Sequence, residues 1–214
     1  MDKQRLDKFG ITPESLMSEN PYIAPTSELE MASAHPNAIG TEFYVVSIKK
    51  FLWLFVATFG IYALYWHYKQ WEQYRRFHNE KMWPIARAIF AIFFIHKLTR
   101  NIDDCLRDNK TPYDWSPSAI ATAYVVLSLV SNASNKIPDN VSPWLDLLPL
   151  VILAALAWLL MKVQHGANLA CAQPDGESNA RFTAANWVWL VLGAIFWLFF
   201  LVGIVLLIVK PESA

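Results

Sequence analysis

The sequence predicts an all-α, polytopic helical membrane protein with four transmembrane helices plus one interfacial or re-entrant helix. Two observations carry this prediction. First, 55% of the 214 residues are hydrophobic and only 17% are charged, too apolar a balance for an ordinary soluble domain. Second, the apolar residues are gathered into long uncharged stretches whose ends are marked by Trp, Tyr, Lys and Arg. Such rings and long cationic stems settle at headgroup depth.

Residues 1–42 come first, a polar arm with prolines at 13, 21, 25 and 36 and no apolar run that would serve as a signal peptide. It holds too little apolar surface to fold alone and is expected to be flexible. A helical membrane domain is expected over residues 43–210. Its first span is read at Phe51–Tyr68, FLWLFVATFGIYALYWHY, which carries no charged residue. A spanning helix needs about 20 mainly apolar residues because lipid offers its amides no partner, and Val45, Val46 and Ile48 extend the run. Ala57, Gly60 and Ala63, at spacing three, would give this helix a small-residue face for close packing.

Beyond it, HYKQWEQYRRFHNEK mixes basic and aromatic residues. Lys69, Trp71, Arg75 and Arg76 are the candidate contacts to a lipid headgroup or a partner at the membrane surface. The segment from Pro84 to about Asp108 reads as one membrane-surface helix. Its uninterrupted apolar part after Arg87 is too short to cross, and if Pro84–Ile95 does cross, the chain has five spans. Leu98, Ile102 and Cys105 or Leu106 form its apolar stripe, with Arg100–Asp104 and Asp103–Arg107 as i,i+4 pairs on the wet side.

Three further spans follow, at Ala119–Val130, Leu147–Val163 and Trp187–Val209, the last preceded by a capping Thr183. Arg87 and Asp146 are a candidate intramembrane polar pair. Counting Lys and Arg on each side does not separate the four-span threading, with an external N-terminus, from the five-span one. Both place Cys105 and Cys171 in the cytoplasm as free thiols.

TFGIYALYW at Thr58–Trp66, WPIARAIFAIFFIHKL and ESNARFTAANWVWLVLGAIFWL together resemble a group of small bacterial inner-membrane proteins, over about residues 43–205. That resemblance implies a multi-pass protein of the bacterial inner membrane. It implies no catalytic or binding residue.

The motif content argues against an enzyme. The five histidines form neither H-x-x-x-H nor H-E-x-x-H, and no G-x-S-x-G, Walker A or G-x-G-x-x-G pattern occurs. No catalytic residue, metal site or cofactor is expected. Zero net charge speaks against nucleic acid. The expected role is binding of a protein partner or lipid, one form being an immunity protein against a membrane-acting toxin. The alternative is a small ion or solute permease.

Overall fold

The computed structural model describes residues 41–134 and 147–209, and the side chains of all but the last three of these. Residues 1–40 of the expected N-terminal arm, Lys136 and Asp146 lie outside the described residues. Seven α-helices follow one another: α1 Ile48–Ala57, α2 Tyr62–His78, α3 Pro84–Ile89, α4 Ala91–Asp108, α5 Pro117–Ser134, α6 Leu148–Ala170 and α7 Ala184–Val209. No strand occurs among the described residues. Three helices, α5, α6 and α7, are long and apolar enough to cross a membrane.

Phe51–Tyr68 is not the single helix expected of a first span. The chain reverses at Thr58–Ile61, so α1 and α2 form a hairpin. Phe59 (φ +51°) and Gly60 (φ +84°) are both left-handed. Gly60 N–H donates to Phe55 O at 2.8 Å and Phe59 N–H to Val56 O at 3.1 Å, the paired bonds of a Schellman C-cap. The Thr58 hydroxyl donates back to Leu54 O at 2.8 Å and accepts from Tyr62 N–H at 3.0 Å, ending one helix and capping the next. A non-glycine in this conformation costs about 1–2 kcal/mol. Stacking of Phe59 on Trp197, with ring centroids 4.4 Å apart, offsets part of it. Phe51 packs between Tyr62 and Trp66 across the hairpin. The small-residue face is lost with the helix: Gly60 forms the turn and lies against Leu153 of α6, Ala57 meets Gly193 of α7, and Ala63 packs on the core.

At ten residues, α1 is about 15 Å long, half the hydrocarbon thickness. Its first turn lies beside the start of α7, through Lys50 and Arg181 O. Its tip lies beside the middle of α7, where the Trp197 indole donates to Val56 O at 3.0 Å. α7 opens with a reciprocal cap: Thr183 Oγ1 accepts from Asn186 N–H, and Asn186 Oδ1 accepts from Thr183 N–H at 3.0 Å.

The surface helix divides at Phe90 into α3 and α4. α4 keeps the expected stripe, with Leu98, Ile102 and Leu106 buried against α5 and α6. Arg107 Nε donates to Asp103 at 2.9 Å as the spacing predicts. Arg100 and Asp104 do not pair; Asp104 lies 3.8 Å from Arg107 instead. Trp83, Ile85, Ile89, Phe90 and Phe93 are all exposed, an apolar ridge with no protein covering among the described residues.

The lysines and arginines of the described residues fall at one end of the bundle. They lie in the first turn of α1, along 69–110 and at Arg181, with Lys162 about two turns from the same end of α6. We call this end the basic face.

Candidate functional site

A non-helical segment, Thr41–Ser47, precedes α1 with Phe43, Val45 and Val46 buried and with no partner strand among the described residues. Buried amides must be hydrogen-bonded, and here side-chain amides do this work. The Asn168 side chain grips both sides of Val46: Oδ1 accepts from Val46 N–H at 3.3 Å and Nδ2 donates to Val46 O at 3.0 Å. Gln70 does the same for Tyr44, at 3.1 and 3.2 Å. Gln164 ties the two together, donating to Tyr44 O at 3.0 Å and to Asn168 Oδ1 at 2.6 Å, and accepting from Gln70 and the Trp66 indole. Gln73 holds Thr41 O at 2.6 Å, and Asn179, in the short 3-10 turn Glu177–Asn179, holds Val45 O at 3.0 Å. Gln70, Gln164 and Asn168 are fully buried. Their polar atoms are consumed by this clamp, so it fixes the segment to α2, α6 and the α6–α7 connection rather than presenting a polar site to a solute.

Lys50 extends the network. Its buried ammonium donates to Asn179 Oδ1 at 2.7 Å and Arg181 O at 2.8 Å, and no carboxylate lies within ion-pair distance among the described residues. Burial lowers its pKa.

The residues expected at the membrane surface are not a set. Trp71 points inward and is 0% exposed. It packs edge-on to Tyr74 and Phe94, because its apolar ring lies on the α2 face that meets α3 and α4. It therefore cannot meet a headgroup. Lys69 and Arg76 both pair with Glu72, at 2.7 and 2.6 Å. Arg75 is half-buried and makes no ion pair among the described residues. Arg87 lies over the Trp71 ring, 4.4 Å from its centroid. Its expected partner Asp146 is outside the described residues.

Burial works against ionisation of Glu72, but its Lys69 hydrogen bond and the charges of Lys69 and Arg76 outweigh burial and hold the carboxyl below its usual range. The stabilisation is therefore complete above that range and is lost as pH falls through it. The partners are partly solvated, so the expected effect is below about 1 kcal/mol. Glu72→Gln should flatten this acid limb of a melting-temperature profile in detergent; an unchanged profile would refute the assignment.

No family model, curated protein or solved structure matches this chain.

Three or more His, Cys, Asp or Glu side chains that could hold a metal do not gather among the described residues. His67 lies 3.2 Å from the Tyr124 hydroxyl and His78 lies 2.8 Å from Glu42. Cys105 and Cys171 are both free. Burial is the main cause that pushes their thiols up, to about 12 and about 11, so neither is a thiolate at neutral pH.

A cleft of about 610 Å³ opens between α1 and α7, walled by Trp53, Ala57, Phe182, Trp187, Leu190 and Trp197. It exists because Gly193 brings the α7 backbone onto Ala57, while bulky residues on either side hold the helices apart. Much of the rest of α7 is bare: Phe196 and Phe199 are more than 60% exposed, and Gly203 has nothing within 4 Å of a Cβ position. The sequence signal for the clamp was present, since Gln164 and Asn168 stand at i,i+4 in a helix that is apolar from Leu148 to Met161.

Proposed function

We propose that this chain is a multi-pass protein of the bacterial inner membrane that acts by binding a protein partner or lipid, not by catalysis. In the threading we favour, α5, α6 and α7 span, the α1–α2 hairpin re-enters from the basic face, and α3–α4 lies in the interface on its apolar ridge. The concentration of described Lys and Arg at one end supports a cytoplasmic basic face. The bacterial membrane rests on the sequence resemblance.

The observation that carries the binding reading is α7. A helix with this much uncovered aromatic surface, attached along one strip by the Gly193–Ala57 contact, the Trp197 indole hydrogen bond and the packing of Trp197 and Phe200 on Phe59, is built to be approached from the bilayer. By contrast, the buried amides that a permease would use are already occupied by the Tyr44 and Val46 backbone. An immunity protein against a membrane-acting toxin is one specific form of this role.

A pull-down from detergent-solubilised membranes tests the reading. A stoichiometric protein or lipid companion, with no solute flux in proteoliposomes, is the expected result. Flux through the purified chain would replace the binding reading with the permease.

A further inference from the structure

We infer that the cleft between α1 and α7 holds one acyl chain of an anionic phospholipid from the leaflet at the basic face, with its phosphate between Lys49 and Arg181. This deepens the binding reading above and rests on it.

Length comes first. The cleft runs from Trp187 to Trp197, ten residues of α7 and so about 15 Å, which is one leaflet of a bilayer about 30 Å thick. Its volume of about 610 Å³ is in the range of small-molecule sites. The walls are almost wholly apolar, so a polar solute finds nothing to bind. A hydrocarbon chain loses no hydrogen bond there.

Charge decides the headgroup. Lys49 is exposed and stands one helical turn above Trp53 on the same face of α1, and Trp53 lines the cleft. Arg181 is exposed and precedes Phe182, which also lines it. Lys50 adds a buried ammonium at the Arg181 carbonyl, held only by neutral oxygens. Asp175 and Glu177 lie in the same connection, but neither is within 4 Å of these cations. Among the described residues the mouth of the cleft thus presents positive charge that no carboxylate pairs, at headgroup depth and directly above a leaflet-deep apolar slot. A zwitterionic headgroup would bring its own cation into that field, whereas an anionic one does not.

The test incubates the full chain in detergent with equal amounts of dioleoyl phosphatidylglycerol and dioleoyl phosphatidylcholine and counts bound lipids by native mass spectrometry. One phosphatidylglycerol per chain is expected, preferred about tenfold, since two basic groups near a surface each favour anionic lipid. Lys49→Gln with Arg181→Gln should bring that preference to about one. Ala194→Trp, which fills the cleft from a lipid-facing position, should remove both lipids while leaving the melting temperature unchanged. Leu190→Trp serves if that variant does not fold. Equal retention of the two lipids by the wild type, a preference that survives the double substitution, or lipid counts unmoved by the filled cleft would each overturn the inference. So would a dimer that the filled cleft dissociates, because the slot would then belong to a second copy. A stoichiometric protein companion persisting beside any of these failures would leave the binding reading standing.

Discussion

Replacing Asn168 with leucine is expected to destabilise the folded chain by about 3–5 kcal/mol, because it strands several buried polar groups at once. The substitution keeps the heavy-atom count and branched shape and opens no cavity, so the lost hydrogen bonds dominate and the two bulkier methyls add some overpacking. Val46 N–H and C=O each lose their Asn168 partner, and Gln164 Nε2 loses its acceptor at 2.6 Å. Each orphaned group costs about 1–3 kcal/mol. Thermal unfolding in a mild detergent measures the effect, and a melting temperature within a degree of wild type would mean that the segment before α1 is not clamped. Gln164→Leu should couple to it non-additively, since the two amides share one network.

Gly176→Ala should cost at least about 3 kcal/mol, although the residue lies in an exposed connection. Its φ is +62°, and a Cβ there would stand 2.6 Å from Val46 C and O and 2.7 Å from Ser47 N. All three are backbone atoms, so no rotamer change relieves the clash. The left-handed conformation alone accounts for about 1–2 kcal/mol. The remainder comes from lifting Val46 away from Asn168. Gly203→Ala is the contrast: its Cβ meets nothing, and a helical alanine replaces a helical glycine, so a gain of up to about 1 kcal/mol is expected. Equal melting temperatures for the two variants would contradict this account of the connection.

Hydropathy made α5, α6 and α7 legible, because a long uncharged run identifies a lipid-facing helix whatever its neighbours do. The amphipathic stripe of α4 and its Asp103–Arg107 pair were legible for the same reason, being set by spacing within one helix. The hairpin was not. Hydropathy sums over Phe51–Tyr68 without sensing direction, and the reversal depends on Phe59 adopting a conformation that its side chain disfavours. What holds it there is Trp197, 138 positions further on. The clamp was hidden likewise: Asn168 and Val46 are 122 residues apart, and a Gln or Asn in an apolar helix does not announce its partner. Trp71 was misplaced because interfacial tryptophans and core tryptophans look alike in sequence. Only packing against α3 and α4 decides between them.

Threading is the claim on which the rest depends, and cysteine accessibility tests it most directly. In a chain with both native cysteines changed to serine, Lys49→Cys, Glu80→Cys and Thr111→Cys are introduced singly and probed with an impermeant maleimide in right-side-out and inside-out vesicles, with Ser134→Cys as the opposite-face reference. A re-entrant hairpin predicts that positions 49, 80 and 111 all label from the cytoplasmic side, while 134 labels from the other. Labelling of position 49 from the side of 134 would make Phe51–Tyr68 a true span and contradict the account.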